Sequence, residues 1–386
     1  MKKLIISFGL FISLAFGASL DEGLKANENK DYKKAFQIFE ELALKGNIEA
    51  IYNLGRMYDH GFGVKQDYKK AKEWYEKAAN QGDANAQYNL GVLYHNGFGV
   101  KQDYFKAKEL FEKVANQGDA DAQLNLGVLY HNGFGVKQDY FKAKEWYEKA
   151  ANQGNADAQL NLGVLYHNGF GVKQDYFKAK ELFEKAANQG DANAQYNLGV
   201  LYENGFGVKQ DYKKAKEWYE KAANQGDANA QLNLGFLYHN GFGVKQDYKK
   251  AKEWYEKAAN QGNANAQLNL GVLYHNGFGV KQNYFKAKEL YEKAANQGNA
   301  VAQNNIGVLY ENGFGVKQDY FKAKELYEKA ANQGDANAQS NLGFLYHNGF
   351  GVKQDYKKAK KLFGDACDGG NQNGCNNYKI LNQQGF

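Results

Sequence analysis

The sequence predicts an all-α protein: a right-handed α/α solenoid of nine 36-residue helix hairpins, with a capping hairpin before them and a capping helix after. Three observations predict it. Gly55, Gly91, Gly127, Gly163, Gly199, Gly235, Gly271, Gly307 and Gly343 stand 36 residues apart, each directly after Leu or Ile and three residues before a Tyr. Within each copy, apolar residues recur at helical spacing in two runs. Pro is absent while Gly occurs 44 times, so helix ends must be set by Gly and by polar caps. The period overrides the length prior of two or three globular domains for 386 residues, because each unit buries its apolar face only against its neighbours. An aromatic content of 15% is too high for a disordered chain.

In chain order the first element is residues 1–18. Met1-Lys2-Lys3 followed by the apolar run Leu4 to Phe16, with small residues Ala15, Gly17 and Ala18, has the charged region, hydrophobic region and cleavage site of a secretory signal. The run is short of the ~20 residues that span a bilayer, and no later segment is apolar enough for membrane insertion. An exported chain, periplasmic or secreted, is expected. Residues 19–46 form the N-terminal capping hairpin, 47–370 the nine repeats, and 371–386 a C-terminal capping helix and tail.

Residues 83–118 serve as the type repeat. Asp83 is an N-cap whose carboxylate accepts the free N–H groups of the first turn, and the equivalent place is Asp or Asn throughout. Ala86, Leu90, Leu93 and Tyr94 make the apolar face of the first helix, and Gly97 ends it in a left-handed residue. Asp103 caps the second helix, whose core stripe is Tyr104, Ala107, Phe111 and Val114. The charges between, including Glu109 and Lys113 at a four-residue offset, read as a solvated outer face. Gly97-Phe98-Gly99 follows a helix C-terminus, where the dipole is negative, so it is a turn rather than a phosphate cradle. Phe98 and Val100 are expected to plug the gap between hairpins.

These residues carry a resemblance. The pattern Ala86, Leu90-Gly91, Tyr94, Gly97, Gly99-Val100, Asp103, Lys106-Ala107, Leu110-Phe111, Lys113, Ala115 and Gly118 resembles the Sel1-like repeat, a longer-looped relative of the tetratricopeptide repeat. Residues 20–45 resemble a tetratricopeptide opening hairpin, with Asp31-Tyr32-Lys33-Lys34-Ala35 leading its second helix. Residues 371–382 resemble a lone first helix, with Tyr378-Lys379 where Leu-Gly would stand.

Cys367 and Cys375 are the only cysteines. Adjacent antiparallel helices can bring such positions into disulfide range, and an oxidising compartment favours a bridge over two free thiols or a metal pair. Their spacing resembles that of the secreted Helicobacter cysteine-rich proteins, in which nearly every repeat carries such a pair; here other junctions hold residues such as Ala79 and Gln87. That resemblance implies a protein-binding solenoid and, as the alternative, a weak β-lactamase or penicillin-binding hydrolase. The residues do not favour the hydrolase: the chain has no Thr, and past residue 19 its one serine is Ser340, outside any Ser-x-x-Lys. Histidines recurring once per repeat stand too far apart to share a zinc. No catalytic residue, metal or cofactor is expected.

The formal charge of +6 becomes +4 without Lys2 and Lys3, and Arg56 is the one arginine. Nucleic acid is therefore not an expected partner. A protein partner is, on the concave face conventionally lined by the first helix of each hairpin. Comparison of the copies picks out the places that vary there: Tyr52, Tyr88 and Tyr196 one turn along, Phe236 and Phe344 on the next, and His95, Glu203 and His239 on the last. An aromatic and polar lining of this kind buries much area at low entropic cost.

Overall fold

The computed structural model describes residues 19–386, so the expected signal segment 1–18 lies outside the described residues. The described chain is helical, with no strand among the described residues, and divides into two compact units. The first, up to Asp175, holds α1 (Leu20–Glu28), α2 (Tyr32–Leu44), α3 (Ile48–His60), α4 (Tyr68–Ala79), α5 (Ala84–Asn96), α6 (Tyr104–Ala115), α7 (Ala120–Asn132), α8 (Tyr140–Asn152) and α9 (Ala156–Asn168). The second, from Tyr176, holds α10 (Tyr176–Asn188), α11 (Ala192–Asn204), α12 (Tyr212–Asn224), α13 (Ala228–Asn240), α14 (Tyr248–Asn260), α15 (Ala264–Asn276), α16 (Tyr284–Asn296), α17 (Ala300–Asn312), α18 (Tyr320–Ala331), α19 (Ala336–Asn348), α20 (Tyr356–Asp368) and α21 (Gln372–Gln383).

Each hairpin begins and ends where its caps dictate. Asp83 accepts the Ala86 N–H at 2.7 Å and Asp103 accepts the Lys106 N–H at 3.1 Å, meeting donors that a helix start leaves free. Gly97, at φ 74°, turns the chain so that its own N–H and that of Phe98 both donate to the Leu93 carbonyl. Gln102 ties the loop down by donating to the His95 carbonyl at 2.8 Å.

Leu93, Ala107, Phe111 and Val114 are buried, each large side chain contributing roughly 1.5–3 kcal/mol. Gly91 allows this packing. A Cβ there would lie 2.7 Å from the Phe111 ring, so the repeating Leu-Gly pair marks where the two helices press together.

Between hairpins the Tyr–Phe stack and its glycine seat recur along the chain, and a glutamine link joins them at some junctions. In the first unit Tyr104 stacks on Phe134 of the following loop at 4.8 Å, and a Cβ on Gly135 would lie 2.7 Å from the Tyr104 side chain. Gln153 donates to both the Gly118 carbonyl and the Gln123 side chain at 2.8 Å. The second unit shows the same pattern, with Tyr212 on Phe242 at 5.0 Å and Gln225 joined to Gly190 and Gln195 at 2.9 Å. The loop phenylalanine thus plugs the junction as expected, by lying against the preceding second helix.

The ends follow the same rules with substitutions. In the N-terminal hairpin Gly23 faces Phe39 as Gly91 faces Phe111, and Tyr32 stacks under Phe62 at 4.7 Å. At the other end Cys367 and Cys375 are joined by a disulfide, their Cα atoms 4.5 Å apart, and Phe386 lies on Tyr356 at 4.3 Å.

One expectation differs. In the type repeat the outer-face ion pair is Lys108–Glu112 at 2.7 Å, and Lys72–Glu76 likewise, while the expected pairing forms at the equivalent Glu289–Lys293 at 3.3 Å. Glu76 also accepts from the Tyr94 hydroxyl of the next hairpin at 3.3 Å, which draws the carboxylate to that side. The lysine at the Lys113 place is engaged elsewhere in tryptophan-bearing repeats, as Lys77 lies 3.9 Å over Trp74.

Candidate interaction face

The varied places of the first helices fall into three physical groups. The tyrosines are half-buried and partly engaged. Tyr52 lies 6.0 Å from Tyr75 and accepts from Asn89, while Tyr88 lies 5.7 Å from Phe111 and accepts from Asn125 at 3.0 Å. Tyr196 packs 5.8 Å from Tyr219 in the second unit. Each packs at a tilt against the second helix of its own hairpin and stays partly exposed.

The second group, at the place of His95, obeys a pairing rule across the hairpin. Where this place is acidic, the opposing core residue is Tyr and donates to it: Tyr75 to Asp59 at 3.0 Å, Tyr327 to Glu311 at 2.5 Å, and Tyr219 to Glu203. Where the core residue is Phe, as at Phe111, Phe183 and Phe363, the place holds His95, His167 and His347. A carboxylate needs the hydroxyl; an imidazole does not. Burial, and then the Glu203 charge, push the Tyr219 phenol far above its usual range. Burial holds His95 and His239 below the ordinary imidazole range. His95 sits edge-on to Tyr104 at 5.3 Å and His239 to Tyr248 at 5.3 Å, and the His95 Nδ1 is buried with no hydrogen-bond partner.

The third group projects. Phe236 is 41% exposed and Phe344 42% exposed, each resting edge-on against its own loop phenylalanine, Phe242 or Phe350. A set of phenylalanines that sequence reasoning missed stands out further still, at Phe105, Phe141, Phe177, Phe285 and Phe321. The signal was available. Their place alternates with Lys69, Lys213, Lys249 and Lys357, and no core position tolerates that exchange.

Among the described residues no three His, Cys, Asp or Glu come together as a metal would require. Ser340, the serine weighed as a nucleophile, is buried in α19 at 7% exposure.

Helix hairpins stacked on a fixed period define a repeat protein whose fold is typical of protein-interaction scaffolds. The Sel1 repeat pattern matches residues 17–47, 48–83, 84–119, 120–155, 156–191, 192–227, 228–263, 264–299, 300–335 and 336–371, and the chain belongs to the Sel1 repeat family. Ten repeats are counted because the N-terminal hairpin is included, in keeping with its Gly23–Phe39 and Tyr32–Phe62 contacts. A protective antigen present in uropathogenic Escherichia coli strains, of Sel1-like repeat fold, is 36% identical over 95% of this chain and 87% of that chain, with a TM-score of 0.68. A Sel1 repeat protein from Oxalobacter formigenes is 38% identical over 63% of this chain and 100% of that chain, with a TM-score of 0.58. Cysteine rich protein B of Helicobacter pylori is 32% identical over 35% of this chain and 96% of that chain, with a TM-score of 0.28. No curated protein matches the chain.

Proposed function

We propose that the protein is exported and acts as an interaction scaffold, taking a protein partner on the face made by the first helices of its hairpins. The observation that carries this reading is the exposure of Phe236 and Phe344 on α13 and α19, where six other repeats place the smaller valine and repeat one places Arg56. An aromatic that projects from a rigid helix buries a large area on contact and loses little entropy in doing so. The half-exposed edges of Tyr52, Tyr88 and Tyr196, with His95, Glu203 and His239 beside them, supply the polar margin. Export rests on the Met1–Ala18 pattern, and a relative described as a protective antigen is in keeping with a chain that leaves the cytoplasm.

Photo-crosslinking in the native host tests both parts. A benzophenone side chain replacing Phe236 or Phe344 is expected to give one discrete adduct in the exported fraction, and the same group at Lys113 none. The exported chain should begin at Ser19. Adducts confined to position 113, or a chain retained in the cytoplasm with Met1 in place, would overturn the reading.

A further inference from the structure

A second surface lies at the edge formed by the Gly-Phe-Gly loops and the first turns of the second helices. Phe105 and Phe141 are 69% and 70% exposed, Phe285 and Phe321 72% and 71%, and these four make no ring contact among the described residues. The loop phenylalanines beside them stack on tyrosines of the preceding hairpin, so their exposure is only partial. Phe105, Phe141, Phe285 and Phe321 have no such duty. Exposed aromatics recurring on one edge mark a contact surface.

The edge is also where positive charge collects. Every repeat places two lysines here, Lys101 and Lys106 in the type repeat, and four repeats add a third at the Phe105 place. The accompanying acid is the helix cap: Asp139 accepts the Lys142 N–H at 3.1 Å, which spends its carboxylate on the backbone. Lys142 stands 5.1 Å over the Tyr130 ring, and the helix starts add their own positive dipole ends. Glu109 also lines a cleft of this edge in the first unit, beside Lys108, whose charge it favours.

Between successive second helices the edge is recessed. Phe105, Tyr130, Val136, Lys137, Phe141 and Lys142 wall a cleft of about 1090 Å³ in the first unit. In the second unit the same place opens a cleft of about 640 Å³ at Phe321 with Lys317 and Lys322, and one of about 670 Å³ at Lys249 with Lys245 and Lys250. Recesses of this size accept side chains, whereas a bilayer surface is met by rings projecting from an unbroken rim.

We propose that this loop edge docks an acidic polypeptide segment that carries apolar side chains, its carboxylates meeting the paired lysines and its apolar groups filling the clefts between the exposed phenylalanines. The edge adjoins the first-helix face, where Phe236 and Phe344 touch the loop phenylalanines Phe242 and Phe350, but neither residue lines these three clefts.

Fluorescence anisotropy on the full mature chain tests the proposal with a synthetic peptide of repeated Asp-Glu-Phe triplets. Replacing Phe105, Phe141, Phe285 and Phe321 by Gln should weaken binding at least about tenfold without moving the melting curve, and Lys137→Glu with Lys142→Glu should also weaken it. A peptide of Asp-Glu-Gly triplets should bind at least about tenfold more weakly, and one of Lys-Lys-Phe triplets not at all. No saturable binding of the first peptide, or binding unchanged in the four-Phe variant, overturns the proposal. Phosphatidylserine vesicles binding where the acidic peptide does not would assign the edge to a membrane surface instead. Photo-adducts at Phe236 would be unaffected by either result, so the two surfaces fail independently.

Discussion

At the scale of single residues, the acid–phenol pairs turn what reads as free variation into a coupled choice. Tyr219 donates to Glu203 in a half-buried setting, and Tyr147 stands beside His131 with no carboxylate to serve. Tyr219→Phe should therefore cost about 1 kcal/mol, the unmet acceptor being partly rescued by solvent. Tyr147→Phe should stay within about 0.5 kcal/mol, since Phe111 beside His95 already presents that combination. Urea unfolding of the two variants checks this, and equal losses at both positions would show the pair to be energetically idle. The pairing was legible in the sequence by reading two columns of the repeat together; reading the His95 column alone made Glu203 look like an unattached ligand. The tyrosine edges were not legible, because the Tyr88 to Asn125 contact depends on how the next hairpin lands.

At the scale of elements, the sequence specified helix ends well because caps are local: Asp83, Gly97 and Asp103 act within their own turn. Ion pairs were harder. Lys72–Glu76 is joined by a hydroxyl from the neighbouring hairpin, a contact that local spacing cannot show. The C-terminal junction shows how one geometry is met by two chemistries. Elsewhere Gln87 donates to the Ala79 carbonyl at 3.2 Å across the hairpin junction, and at the last junction Cys367 and Cys375 stand at these same places and are bonded covalently. Loop closure over eight residues contributes about 2–3 kcal/mol. Reduction should accelerate amide exchange in α20 and α21 while leaving α15 to α17 unchanged. Cys367→Ala with Cys375→Gln, which restores the common pairing, should recover part of that protection. Exchange that rises evenly along the chain on reduction would contradict a local role.

At the scale of the molecule, small effects repeated in register become large ones. Burial holds His95, His131, His167, His239 and His275 below the ordinary imidazole range. In the unfolded chain these groups titrate near pH 6.5, so as pH falls through that value the unfolded state takes up protons that the folded state refuses. Stability from this source is fully present above about pH 6.5 and is lost as pH falls toward the depressed folded values. The urea midpoint should drop between pH 7.5 and 5.5, and a variant with these five histidines replaced by Gln should show a flatter profile. An identical drop in both would assign the pH dependence to the carboxylates.

The junctions of this chain have one further consequence, which concerns inheritance rather than stability. Inside either unit the Tyr–Phe stack and the glycine seat recur with the 36-residue period, as at Tyr104 and Phe134 or Tyr212 and Phe242. Excising 36 consecutive residues from such a stretch and rejoining the ends therefore regenerates a junction the protein already contains. Recombination between copies can change copy number without passing through a misfolded intermediate sequence, so the length of the array is free to drift while its grammar stays fixed.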